Sequence, residues 1–231
     1  MKVVLAGLLS LFSLHAAAAE QFAKVGANQL AFECRGEGSK TVLLIAGMGL
    51  DAHTTYKNTF RNFSAPGYQV CLYDRAGVGK STPQTAARPL RALADELDGL
   101  VKARGWHDVV LVAHSFGGMI INWERDKNSH EDFAEAAQAM NSGGRTLDMP
   151  VTVLSRGLPE TKVRQAKMRY EDVDAFNTTW DAAQFELTKV SGDMRHVRMR
   201  YTNHMFDEQD PWLVLDEIGL LIKRVEAKPR S

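Results

Sequence analysis

The stretch Asp108-Val109-Val110-Leu111-Val112-Ala113-His114-Ser115-Phe116-Gly117-Gly118 decides how the rest of the chain is read. Its first six residues, DVVLVA, are an apolar run rich in β-branched side chains, the pattern of a strand buried on both faces. The run passes straight into Ser115, flanked by the small residues Ala113 and Gly117, and a helix is expected to follow. A strand-to-helix turn this tight tolerates only small neighbours and pushes the serine hydroxyl out above the sheet edge. That is the geometry of a G-x-S-x-G nucleophile elbow, with Ala113 at the first glycine, a departure of one methyl group. A serine that merely caps the next helix would fit the same turn. The strand before it and the helix after it favour the nucleophile.

Runs of the same kind recur on either side. Residues 41–46 (TVLLIA) and 69–73 (QVCLY) read as buried strands that stop at Gly47-Met48-Gly49 and at Asp74-Arg75-Ala76-Gly77-Val78-Gly79. Between them Tyr56, Phe60 and Phe63 recur at helical spacing until Pro66-Gly67 breaks the pattern. Residues 30–34 read as a short earlier strand. Pro89 opens the clearest helix, with Leu90, Leu93, Leu97, Leu100 and Val101 in one stripe and Gly105 at its end. Downstream, residues 133–140 and 212–225 read as helices, and 150–154 and 196–201 as strands. Strands alternating with helices predict an α/β fold, a mostly parallel sheet with helices on both faces. No repeat, low-complexity tract or linker divides residues 20–231, so they read as one domain.

Residues 1–19 read differently. Lys2 is a positive start, residues 3–14 are apolar apart from Ser10 and Ser13, and Ala17 and Ala19 form a small-x-small site before Glu20. This is the pattern of a secretory signal peptide, and the run is short of the ~20 apolar residues that span a bilayer. The expected location is periplasmic or secreted. Lys plus Arg and Asp plus Glu are 28 each, so the formal net charge of zero leaves no electrostatic footprint for nucleic acid or an anionic membrane.

A serine hydroxyl is a poor nucleophile until a base takes its proton. His204 stands in Tyr201-Thr202-Asn203-His204-Met205-Phe206, on the loop leaving the last strand, at the sheet edge where open α/β folds hold ligands. The other histidines are placed less well. His15 is in the leader, His107 is at the opposite edge, His196 starts a strand, and His130 is in a polar run. His53 and His114 lie beside other loops of the catalytic edge. The oxyanion hole needs two backbone N–H groups, and these are expected from Phe116, after the nucleophile, and from Met48, between its two glycines.

Gly77-Val78-Gly79-Lys80-Ser81 imitates the end of a phosphate-binding loop. The full pattern requires glycine where Asp74 stands, and Pro83 obstructs the helix that should follow. No cluster has metal-ligand spacing; His130-Glu131-Asp132 reads as a polar surface run. No cofactor or metal is expected, and the partner is a small-molecule substrate.

Taken together, four motifs resemble the α/β-hydrolase superfamily, and within it exported bacterial members. They are Cys34-Arg35-Gly36-Glu37-Gly38, Gly47-Met48-Gly49, the run from Cys71 through Tyr73-Asp74-Arg75-Ala76-Gly77 to Ser81, and His114-Ser115-Phe116-Gly117-Gly118. The resemblance runs from about residue 30 to 121 and resumes from 150 to the end. It implies a triad in the order serine, acid, histidine, and a substrate that the scaffold alone does not specify. A serine nucleophile disfavours the dehalogenases, which carry aspartate there. The superfamily's sheet order makes the strands of Cys34 and Cys71 neighbours and so implies a disulfide between them.

Relatives often place the acid just before a run like Ser129-His130-Glu131-Asp132, which implies Asp126; others place it after the strand at 150–154, where Glu160 stands. Neither carboxylate serving remains a third possibility. Residues 119–149 offer no β-branched apolar run, so one core strand and any large cap are expected to be missing, and substrate choice to be loose. The expected function is hydrolysis of small carboxylic esters through an acyl-enzyme on Ser115. The other reading is a non-catalytic binding protein on a scaffold that has lost its acid.

Overall fold

The apolar run at 41–46 forms strand β3 (Lys40–Ile45), and its alternation sorts side chains between two cores. Val42 and Leu44 join one cluster, Leu43 and Ile45 the other, and all four are fully buried. The computed structural model describes residues 20–86, 88–118, 120, 149–159, 170–187, 189 and 191–228. Around β3 lie β1 (Gln21–Val25), β2 (Asn28–Arg35), β4 (Tyr68–Tyr73) and β5 (His107–Ala113), in the order β1-β2-β4-β3-β5. The β1, β2 and β4 pairings are antiparallel, while β3 is parallel to both β4 and β5. Strands β6 (Val151–Arg156) and β7 (Met194–Met199) form a separate parallel pair.

Helices cover both faces, as the α/β reading requires. Helix α2 (Leu90–Arg104) sets Leu93, Leu97 and Leu100 against Leu43, Ile45 and Tyr73. Gly105 ends it in the left-handed conformation that glycine adopts without strain. On the other face, Tyr56 and Phe60 of α1 (Ala52–Asn62) meet Val214, Ile218 and Ile222 of α5 (Pro211–Ala227). Met199 of β7 is buried in that same cluster. Arg195 of β7 forms a two-point ion pair with Glu217 of α5, at 2.6 and 2.7 Å. The β6–β7 pair is thereby fastened to the main core through α5.

Some elements differ from the sequence expectation. Strand β1 was not foreseen because only Ala23 of its five residues is buried; pairing with β2 across the Gly26 turn creates it. Helix α3 (Tyr170–Leu187) was also passed over, although Val173, Phe176, Trp180, Ala183 and Leu187 recur at spacings of three and four. Strand β7 begins earlier than expected, so His196 lies inside it and bonds to Ser155 at 2.7 Å, while Tyr201 lies beyond it and is exposed. The leader at 1–19, the helix at 133–140 and the strand expected to be missing fall outside the described residues. Among the described residues no helix is long and apolar enough to cross a membrane.

Cys34 and Cys71 are direct partners in the β2–β4 register and are disulfide-bonded, with Cα atoms 4.1 Å apart. The bridge closes a loop across 37 positions of chain. On chain-entropy grounds, replacing both cysteines by alanine should lower the unfolding free energy by ~3–4 kcal/mol. Urea unfolding checks this, and a loss below about 1 kcal/mol would contradict the entropic account.

Candidate active site

Ser115 follows β5 with φ = 53°, a left-handed backbone that a residue with a Cβ adopts at a cost. Its surroundings hold it there. His114 N–H donates to the Ile45 carbonyl (3.0 Å), Gly117 N–H to the His114 carbonyl (2.9 Å) and Gly118 N–H to the Ser115 carbonyl (3.0 Å). Residues 116–118 are helical, so the strand–turn–helix reading of the motif holds. Gly117 must be glycine, because a Cβ there would lie 2.6 Å from the Ile45 carbonyl oxygen and 2.9 Å from that of Ala46. The turn is thus pressed against the end of β3, and Ser115 is left exposed at the sheet edge.

The loop after β3 lies beside it. A Cβ on Gly47 would fall 3.4 Å from the Ser115 Cβ. The buried Arg75 reaches under this loop, donating from Nη1 to the Ala46 carbonyl (2.7 Å) and from Nη2 to the Gly47 carbonyl (2.5 Å). A trans peptide points its N–H opposite to its C=O. With the Gly47 carbonyl turned to Arg75, the Met48 N–H therefore faces away from the guanidinium. Arg75 also lies 6.0 Å from the centroid of the Phe116 ring, so one cation supports both segments expected to supply oxyanion donors.

His204 sits between β7 and the short helix α4 (Phe206–Gln209). Three bonds hold its segment. Met205 N–H donates to Asn203 Oδ1 (2.8 Å), and Asn203 N–H to Gln209 Oε1 (2.6 Å). His114 Nε2 lies 2.7 Å from the His204 carbonyl, which can only accept, so Nε2 carries the proton. Farther along, the buried Asp207 carboxylate accepts from the Asn58 and Thr59 N–H groups, both at 2.7 Å. Helix α1 departs from helical geometry at Tyr56 (φ −128°, ψ 28°), two residues before the first of those donors.

The His204 ring is packed among aromatics. Its centroid is 4.5 Å from His114, and Trp180 of α3 meets it edge-on at 5.2 Å. Burial first, then the His114 ring and the Arg156 charge, push the His204 pKa down to about 4. Burial also lowers that of His114, opposed by its bond to the His204 carbonyl and by Asp207. Arg156 closes β6; it is buried, donates to Asn177 Oδ1 at 2.6 Å and stands 5.3 Å from the Trp180 ring centroid.

The structure therefore brings Ser115, Phe116 and the Met48 loop together, and places the His204 segment against His114, the residue next to Ser115. No hydrogen bond joins Ser115 to His204 among the described residues, and no carboxylate among them bonds the His204 ring. Asp126 and Glu160 lie outside the described residues. Sequence reasoning did not find the roles of Arg75, Trp180 and Arg156. Arg75 had a signal in the Asp74-Arg75-Ala76-Gly77 motif, whereas Trp180 and Arg156 had none. The phosphate-loop imitation is filled by its own side chain. Asp74 accepts from Ala52 N–H (2.9 Å) and Lys80 N–H (3.3 Å), and a Cβ on Gly79 would lie 1.9 Å from its Oδ2. Among the described residues no group of His, Cys, Asp and Glu could hold a metal ion.

A family model described as alpha/beta hydrolase fold matches residues 40–200. Over 103 residues the chain is 34% identical to the dihydrolipoyllysine-residue acetyltransferase component of the acetoin cleaving system of Cupriavidus necator, covering 45% of this chain and 27% of that protein. Its matches span only 27–38% of the length of the curated relatives. Among solved structures, alpha/beta hydrolase domain-containing protein 10 from mouse superposes with a TM-score of 0.66 at 14% identity, covering 89% of this chain and 99% of that one. An alpha/beta hydrolase fold protein from Chitinophaga pinensis gives 0.62 at 14% identity, covering 90% and 98%. At such identity these likenesses speak for the fold.

Proposed function

Because the chain belongs to the α/β-hydrolase fold family, we propose that it is a serine hydrolase cleaving small carboxylic esters through an acyl-enzyme. The observation that carries this reading is Ser115 itself, exposed at the sheet edge with a left-handed backbone and set between the Gly47–Gly49 loop and the helix that starts at Phe116. Strain of this kind persists where surrounding structure enforces it, and it concentrates at functional sites.

In the proposed reaction the Ser115 hydroxyl oxygen attacks the acyl carbon and His204 takes its proton. The N–H groups of Phe116 and Met48 hold the developing oxyanion. The imidazolium then protonates the departing alcohol, and water, activated by the same imidazole, hydrolyses the acyl-enzyme and restores Ser115. Asp126 is the proposed acid behind His204. The proposed setting is the periplasm or the exterior, an oxidising environment of the kind in which disulfides such as Cys34–Cys71 persist.

The test is a fluorophosphonate probe. Wild type should be labelled covalently and Ser115→Ala should not. A folded wild type that stays unlabelled would leave the second reading, a binding protein without catalysis.

A further inference from the structure

We infer that His114 is a positioning residue for the proposed reaction: its imidazole holds the segment of the base, His204, with one nitrogen and packs against the oxyanion loop with the other. The inference rests on the serine-hydrolase reading for its catalytic meaning, but its geometry stands apart from that reading.

The ring is 8% exposed and lies between the two loops that must agree in position. On one side, Nε2–H donates to the His204 carbonyl at 2.7 Å. This bond links residues 90 positions apart in the chain. On the other side, Nδ1 is buried without a hydrogen-bond partner among the described residues. It faces Gly47, where a Cβ would come within 3.0 Å of it. A buried acceptor without a donor is costly, and a protein tolerates it where the alternative tautomer would be worse. Moving the proton to Nδ1 would set the Nε2 lone pair against the His204 carbonyl oxygen and leave a buried N–H with nothing to receive it. The local structure therefore selects one neutral tautomer, and that tautomer ties the base's backbone to the residue preceding the nucleophile.

The arrangement also places two imidazoles 4.5 Å apart, centroid to centroid. Among the described residues, the charged and titratable groups that act on this pair are Asp207, which favours a proton on His114, and Arg156, which with His114 disfavours one on His204. A side chain that only filled space at position 114 would still bury the His204 ring, but it would leave the His204 carbonyl without its N–H donor and remove the second imidazole's opposition to a proton there. That difference separates positioning from packing.

The test compares wild type with His114→Gln and His114→Phe. Glutamine can bring an amide N–H to about the place of Nε2–H and does not titrate, whereas phenylalanine keeps the ring and loses the donor. Long-range proton–nitrogen spectra should show His114 of wild type as the Nε2–H tautomer near neutral pH. Both variants should raise the pH at which His204 titrates. Amide exchange at residues 203–206 should be unchanged in His114→Gln and faster in His114→Phe. Fluorophosphonate labelling of Ser115 should slow about tenfold or more in His114→Phe and return to within about threefold of wild type in His114→Gln, as one lost hydrogen bond predicts.

An Nδ1–H tautomer, or a His114→Phe protein that matches wild type in exchange and in labelling, overturns the inference. If wild type itself is not labelled, the ester-hydrolase reading fails, while tautomer, titration and exchange still decide whether His114 positions His204. Should His114→Phe not fold, the wild-type tautomer decides alone: an Nδ1–H imidazole at His114 overturns the inference.

Discussion

Replacing His204 by alanine is expected to lower turnover of a short-chain p-nitrophenyl ester by about five to six orders of magnitude, with little change in KM. Losing the general base of a Ser–His pair costs about as much as losing the serine, because the two act as one unit. What survives is binding and the oxyanion donors. Nothing structural should compensate or confuse the result. The segment's hydrogen bonds run through the His204 carbonyl, Asn203, Met205 and Asp207, none of which depends on the imidazole. Steady-state kinetics of His204→Ala, with urea unfolding as a control on folding, is the measurement. Turnover within about tenfold of wild type would remove His204 from the mechanism.

Asp126→Asn should cost about four orders of magnitude in kcat, the effect of removing a triad carboxylate while keeping its shape. The pH profile adds a separate signature. The base works only when neutral, so the rate falls as pH drops through the pKa of His204. Burial, His114 and Arg156 set that value at about 4. A carboxylate against the ring favours the imidazolium and raises it. Wild type should therefore show an acid limb near 4, and Asp126→Asn should move the limb lower still while kcat falls. Glu160→Gln should do neither. If Glu160→Gln produces both effects instead, the acid lies after β6, and if neither variant does, His204 acts without a carboxylate.

The contrast between Ser115 and His114 shows how far the sequence could be read. Ser115 was legible because everything that makes it a nucleophile candidate is local: a β-branched run, small neighbours and the helix after it. His114 stands one residue away and was equally visible, yet its role was not. Its partner is the His204 carbonyl, and no periodicity reports which backbone oxygen a distant loop will present. Trp180 and Arg156 beside His204 were hidden for the same reason. The acid is a third case, since Asp126 was reached only through the resemblance, on a segment with no strand pattern to place it.

By itself the sequence determined the α/β class, the limits of strands β3 to β5 and helix α2 to within a residue or two, the turn that exposes Ser115, and the loops that carry Met48 and His204. These follow from repeat periods of two and 3.6 residues and from the steric demands of tight turns, all short-range effects. Tertiary structure alone decided the rest: the registry that sets Cys34 opposite Cys71, the attachment of the β6–β7 pair through α5, the guanidinium beneath the loop that carries Met48, and the imidazole that ties His204 to the turn of Ser115. Each of these joins groups distant in the chain, and their distances exist only once both sheet faces are packed.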